Sequence, residues 1–579
     1  MVYATLKIKT FDLLDFETPT NKITAMKNAF LPALCLGVFL FAGSLANSGY
    51  AQSAAFNDTL QKIDLLFKDW GPSTPGAAVS ISRKGTILYQ RAFGMADLEH
   101  NVPNTTATVF ESGSVSKQFT AAAVLLLVEE GKIGLQDDIR KHFPDFPDYG
   151  TVITVEHLLH HTSGLRDWGS VISLSGWPRG TRVYTPAHVR EIIWQQKGLN
   201  FSPGTAYGYS NSNYNLLGFL VEKVSGQPLE VFTQERLFKP AGMEHTRWRD
   251  NFRAIVPDRA VAYSKKDGLY QQNMPFENTF GHGALLTTIS DLEKWNRRWT
   301  LHTLGEALNK LQRAKTKLAN GKEIGYACGV GLGRVNGVSE IAHSGATAGY
   351  RAWLAYYPDK ELSVVFLSND GDSNPASLGG AIAKIFFGEE KRNAPTMPNV
   401  TGPIAIKKEQ LASFEGMYKS TQSNDVQEFV VSKDSLRFKN TGLALTPVAG
   451  NKFYREGFVI TFPENKMNPS SLHFRNPGGD TATYERVTPF NPDDKALQAF
   501  VGPYSSAEAF AQVRLQVQDS RLWLIRSGDE RIPLTPLYTD VFMDNELSFF
   551  EFKRDDRWEI TGFYVSISRA SNVWFGKER

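Results

Sequence analysis

The sequence predicts an α+β domain followed by two small antiparallel β-barrels, and three observations lead there. Strand patterns stand at both ends of residues 75–370 with helical patterns between them, and helical periodicity fades beyond about residue 392. The strand-rich remainder repeats itself at a spacing of 86 residues, since Phe414, Gly416 and Tyr418 recur as Phe500, Gly502 and Tyr504. At 579 residues the chain also exceeds what one core holds, so several domains are expected.

The elements follow in order. Ala77–Arg83, Lys84-Gly85 and Thr86–Phe93 read as strand, tight turn and strand. Gln118 to Glu130 is a helix pattern with Phe119, Ala122, Ala123, Leu126 and Leu127 on one face, and Gly131 is placed to stop it. Thr154 can cap a short helix through His160, Thr185 one that carries Val189, Ile192 and Ile193, and Ser290 one over Asp291–Trp299. Val338–His343, Tyr350–Tyr357 and Glu361–Leu367 then read as antiparallel strands, so terminal segments share one sheet covered by helices. Three prolines, Pro395, Pro398 and Pro403, mark a linker between Asn393 and Pro403. In the repeat, Leu411, Phe429, Val431 and Leu436 match Leu497, Leu515, Val517 and Leu522. Leu445-Thr446-Pro447 and Phe453 match Leu534-Thr535-Pro536 and Phe542 after a three-residue insertion, and short alternating strands in each unit predict two barrels rather than one sandwich. The expected organisation is a leader over 1–51, the α+β domain over 52–392, the linker over 393–403, and repeats over 404–490 and 491–579.

Near the start, Met26-Lys27-Asn28, the apolar run Ala29 to Ala42 and the small-residue end at Gly49-Tyr50-Ala51 have the order of a secretory signal peptide, with Met26 as the expected true start. The run is short for a membrane span and lacks a positive far flank, so no span is expected after cleavage. A lipoprotein signal at Cys35 is disfavoured because Leu34 precedes it. Cys328 then remains as the lone cysteine, which excludes an intramolecular disulfide and leaves stability to the cores. The expected location is the periplasm or outside of a bacterium. A net charge of +3 with 21% charged residues gives no reason to expect a nucleic-acid partner.

Three motifs carry chemistry, and each pattern occurs once: Ser114-Val115-Ser116-Lys117, Tyr209-Ser210-Asn211 and His343-Ser344-Gly345. Ser114 and Lys117, three apart at a helix start, share one face, and the helix N-terminus favours an attacking alkoxide and the oxyanion that follows. Lys117 can accept the serine proton once burial and neighbouring charge lower its pKa. Tyr209 is the candidate second proton carrier, and Asn211 can orient Lys117 and bind a substrate carbonyl. His343-Ser344-Gly345 reads as the end of a strand, with Gly345 admitting a substrate backbone. The backbone N–H groups of Ser114 and Ala346 are candidates for an oxyanion hole, and His343 can bond toward Tyr209 or a substrate carboxylate. Trp168, Trp177, Tyr207 and Tyr350 lie beside the motifs as a substrate wall or as core.

Two rivals fit less well. His157 and His161 share a helical face that could bind zinc, yet the acid precedes them instead of lying between them, so Glu156–Gly164 reads as a helix end and turn. A Gly-x-Ser-x-Gly elbow, which an α/β-hydrolase needs, does not occur.

Residues 56–390 resemble the serine β-lactamase and penicillin-binding-protein superfamily, and more narrowly the class C β-lactamase-related peptidases and esterases that include D-aminopeptidase. The resemblance rests on Glu111 to Thr120, His160-His161-Thr162-Ser163-Gly164-Leu165, Tyr209-Ser210-Asn211 and His343-Ser344-Gly345. It implies an acyl-enzyme on Ser114, Lys117 and Tyr209 as proton carriers, no metal and no cofactor. It also implies a β-lactamase/transpeptidase-like fold with the site between a sheet edge and an all-helical region. By pattern alone, the tail resembles the lipocalin-like barrels of D-aminopeptidases. One departure stands out: classical β-lactamases and transpeptidases have Lys-Thr-Gly or a close variant where this chain has His343-Ser344-Gly345. Histidine is mostly neutral at pH 7, which argues against efficient β-lactam hydrolysis and for small amides, esters or peptides whose free end is not a carboxylate. The alternatives are a β-lactamase or D-alanyl-D-alanine carboxypeptidase, a silent binder of cell-wall fragments, and barrels that carry an apolar ligand.

Overall fold

The computed structural model describes residues 57–387, 404–463 and 467–578. The expected leader over 1–51, with its signal-like segment, and the expected linker over 393–403 lie outside them. Among the described residues no helix is long and apolar enough to cross a membrane.

A six-stranded antiparallel sheet anchors the first half of the chain. Its order is Gly331–Val335, Val338–Thr347, Tyr350–Tyr357, Leu362–Ser368, Ala77–Arg83 and Thr86–Phe93. The two ends of the domain meet where Ala77–Arg83 pairs with Leu362–Ser368. This is the shared sheet the sequence led us to expect, and the hairpin at Lys84-Gly85 has the expected bounds. On one face Val79 and Ile81 share a core with Ile63 and Phe67 of the preceding helical segment and with Ile382 and Ala383 of the helix Pro375–Phe387. The other face carries the helix Ile289–Leu301 and, beyond it, the helical region.

Three local expectations are corrected. The helix Lys117–Glu129 is buried on every side from Lys117 to Leu127, so it is a central helix and not an amphipathic one. Helices and sheet enclose it, which is why its apolar residues do not confine themselves to one stripe. Ile289–Leu301 is capped by Thr288, whose side chain accepts from the Asp291 N–H, while Ser290 lies inside the helix. The strand begun at Val338 continues to Thr347, so His343-Ser344-Gly345 sits within a strand rather than at its end. The caps at Thr154 and Thr185 do form, each completed by a histidine side chain three residues on.

Beyond residue 404 come two eight-stranded antiparallel sheets. The second closes into a barrel from Gly502–Ser506 to Ala570–Lys577. The first is nearly closed, its edge strands touching through a bridge between Arg437 and Ala444. The repeat is physical: Gly416 and Gly502 both have φ +143°, and the Tyr418 and Tyr504 hydroxyls donate to the Phe414 and Phe500 carbonyls. Pro447 faces Phe453 and Pro536 faces Phe542, each beside a bulge. Phe500, Phe542, Phe552 and Phe563 pack together inside the closed barrel. A cavity of about 180 Å³ lies where the barrel meets Ser170, Ser173 and Leu174 of the helical region.

Candidate active site

Ser114 lies on a 3₁₀ turn, Gly113–Ser116, that opens directly into the helix beginning at Lys117. Its hydroxyl therefore sits at the positive end of that helix, half-exposed to a cavity of about 580 Å³. The turn is held tightly against the sheet. Gly113 has φ +51°, and a Cβ there would stand 2.7 Å from the Ala346 nitrogen. A Cβ on Gly345 would stand 2.0 Å from the Ser112 carbonyl oxygen. Gly345 is thus required by the approach of the chain's own nucleophile turn.

Lys117 is fully buried. Its Nζ lies 3.1 Å from Ser114 Oγ, 2.9 Å from Asn211 Oδ1 and 2.6 Å from the His282 carbonyl oxygen. Burial, with Arg179 and Arg569 adding to it, holds the amine well below the ordinary lysine range. A neutral amine has two N–H groups and one lone pair. The two oxygens that can only accept take the N–H groups, and the lone pair is left facing the serine hydroxyl.

Tyr209 lines the same cavity as Ser114, whose side chain favours the ionised phenol, an effect that burial outweighs. Its ring rests 4.3 Å from that of His161, and Lys117 Nζ stands 4.9 Å over its face. Burial pushes its phenol above the usual range, so it keeps its proton. Asn211 opens the helix Asn211–Ser225, and its N–H donates to Asp167 Oδ2 at 2.7 Å.

His343 lies at the rim and does not bond to Tyr209; the ring centroids are 6.3 Å apart. Its Nδ1 donates to the Ser344 carbonyl at 2.6 Å, so its Nε2, 3.0 Å away, accepts from the Tyr326 hydroxyl. Burial lowers its pKa to about 4, and the ring is neutral at pH 7. The neighbouring strand pairs only with Val338 to Ala342, which leaves the edge from His343 to Thr347 open along the cavity. Ala346 lines the cavity with Ser114, the placement that its candidate oxyanion role needs.

The motifs thus converge, and the structure adds residues that they did not reveal. His161 has φ +57°, and its Nδ1 accepts from Asn213 Nδ2 at 2.9 Å. It supports the Tyr209 ring, while His157 caps its own helix. Tyr326, Arg179 and Arg569 also line the cavity. Among the aromatic candidates, Tyr207 lines it, Trp168 and Tyr350 are core, and Trp177 is exposed without lining it. Cys328 is buried, free, and 3.8 Å from His160 Nε2.

The family model described as Beta-lactamase matches residues 64–385. Penicillin-binding protein 4* of Bacillus subtilis (strain 168) is 28% identical over 69% of this chain and 92% of its own length. D-aminopeptidase of Gluconobacter oxydans (strain 621H) is 29% identical over 51% of this chain and 56% of its own. Among solved structures, the octameric penicillin-binding protein homologue from Pyrococcus abyssi superposes with a TM-score of 0.51. It is 22% identical and covers 82% of this chain and 98% of its own, a likeness of fold.

Proposed function

Since the chain belongs to the beta-lactamase family, of which it is a serine hydrolase, we propose that it forms an acyl-enzyme on Ser114 and hydrolyses small amides, esters or peptides. The observation that carries this reading is the set of partners around Lys117 Nζ: two oxygens that can only accept, and the Ser114 hydroxyl, which can donate. Ser114 Oγ adds to the substrate carbonyl and its proton passes to the Lys117 lone pair. The oxyanion faces the Ser114 and Ala346 N–H groups at the head of the helix. Tyr209 then gives its proton to the leaving nitrogen or oxygen and is reprotonated from Lys117. In the second half, water adds to the acyl carbon and its proton enters the same pair, which returns a proton to Ser114.

His343 is neutral, so the third motif holds no fixed cation. Binding there favours a substrate by shape and hydrogen bonds, as in an amidase, aminopeptidase or esterase. The setting we propose is the periplasm or the exterior, argued from the signal-like residues Met26 to Ala51. N-terminal sequencing of the secreted chain tests that setting; an intact Met1 on the recovered protein contradicts it.

The test of the activity is turnover of a p-nitrophenyl ester, D-alanine p-nitroanilide and a chromogenic cephalosporin, with Ser114→Ala alongside. Turnover lost in the variant supports the reading, and turnover that survives undiminished refutes it. Relative rates across the three substrates select the branch.

A further inference from the structure

The cavity in front of Ser114 is bordered by a residue from the opposite end of the chain. Arg569 sits at the tip of the last barrel hairpin, between the strands Ile560–Ile567 and Ala570–Lys577. The tip is anchored through its backbone. Asp167 N–H and Asn200 Nδ2 donate to the Arg569 carbonyl at 3.0 and 3.1 Å, and Arg166 donates to the carbonyls of Ser571 and Asn572. Arg166 also forms a buried ion pair with Glu508 of the barrel at 2.6 Å. The hairpin is therefore fixed, while the Arg569 side chain is exposed to the cavity, its guanidinium 5.0 Å from the centre of the Tyr209 ring.

The charges around this cavity are unequal. Arg179 is neutralised by Glu277, whose carboxylate it grips with Nε and with Nη2. Lys117 is buried and committed to three oxygens. His343 and His282 are held neutral by burial. Among the described residues, no carboxylate pairs with the Arg569 guanidinium, which makes it the cation of the cavity that a ligand can reach. A guanidinium presents a fork of donors matched to a carboxylate.

We propose that Arg569, supplied by the closed barrel, is a specificity-determining residue that receives a carboxylate of the substrate close to the scissile bond. This rests on the serine-hydrolase reading of the preceding subsection and names its substrate class. It also gives the barrel a function: the barrel presents one cation to a site built by another part of the chain. The absence of a charge at His343 then does not exclude acidic substrates; it moves their anchor to the facing wall.

Two pairs of esters test it in the full-length protein. Mono-(4-nitrophenyl) glutarate against 4-nitrophenyl butyrate places the carboxylate on the acyl side. 4-Acetoxybenzoate against its methyl ester places it on the leaving group. We expect the wild type to prefer the anionic member of at least one pair in kcat/KM. Arg569→Gln should lower that preference about tenfold or more, chiefly through KM, while Arg569→Lys retains part of it and Arg569→Glu inverts it. Raising the ionic strength should reduce the preference in the wild type and leave Arg569→Gln insensitive. Equal ratios in wild type, Arg569→Gln and Arg569→Glu, with each variant's melting curve intact, overturn the proposal. Binding of the anionic esters to Ser114→Ala, with and without Arg569→Gln, separates the two readings. Carboxylate-dependent binding that vanishes with Arg569→Gln, in a protein whose wild type turns over no ester, sinks the hydrolase reading and keeps the anchor. Turnover without anionic preference does the reverse.

Discussion

At the residue scale the chemistry depends on which proton carrier is unprotonated. Lys117 is held well below its ordinary 10.5 by burial and by Arg179, whereas burial drives the Tyr209 phenol upward. In the proposed mechanism the amine is therefore the base and the phenol the acid. Catalysis requires unprotonated Lys117, so kcat/KM should fall as pH drops through its pKa, along a limb lying far below the usual lysine range. A pH–rate profile checks this; a limb near 10.5 contradicts it. Lys117→Arg replaces the base with a group that cannot release its proton, and should cost about 10³-fold in kcat at every pH. His343 gives a separate pH signature. Its pKa is about 4 when folded and higher when unfolded, so the unfolded chain binds more protons between those values. Its contribution to stability is complete above about pH 6.5 and is lost as pH falls through 4. Urea midpoints measured between pH 7 and 4 should decline, and less steeply in His343→Gln.

At the element scale the site is a contact between one turn and one strand. The Gly113–Ser116 turn and the Val338–Thr347 strand approach so closely that neither Gly113 nor Gly345 has room for a side chain. Gly345→Ala pushes a methyl group against the Ser112 carbonyl and should destabilise by about 1–3 kcal/mol, read from denaturant midpoints. Because Ser114 rides on the same turn, kcat should fall with it; unchanged kcat means the turn did not move. Elements whose signals are local were legible beforehand. The hairpin at Lys84-Gly85, the caps at Thr154 and Thr185, and the repeated Gly and Tyr of the barrels follow from backbone requirements that a few adjacent residues meet. Local signals do not separate Thr288 from Ser290 as the cap, since both precede an acidic turn, and only the extended backbone at Thr288 selects between them. Nor do they carry the strand beyond His343, since Ser344, Gly345 and Ala346 have no strand preference of their own. Pairing with Trp353, Ala352 and Arg351 extends the strand there.

At the scale of the whole molecule the closed barrel is joined to the hydrolase through buried polar contacts. Glu508 pairs with Arg166, and its carboxylate also accepts from the Lys197 N–H at 2.6 Å. Arg166→Met leaves Glu508 buried without its cation, at a cost of about 3–5 kcal/mol. The hairpin Ile560–Lys577 should then exchange its amide hydrogens faster, and the anionic-ester preference should fall with it. Exchange that stays at the wild-type rate shows the tip to be held without this pair.

By itself the sequence determined the α+β domain with its two barrel-like repeats, and the identities of Ser114, Lys117, Tyr209 and Asn211. These are written in short segments, because a helix start, a glycine turn or a serine one turn from a lysine is a local requirement. Tertiary structure alone decided that Gly345 makes room for the chain's own turn, that His343 bonds to Tyr326, and that Arg569 faces Tyr209. Each of these joins residues far apart in the chain, up to 360 positions for Tyr209 and Arg569, and no local pattern encodes which distant neighbour the packing will bring.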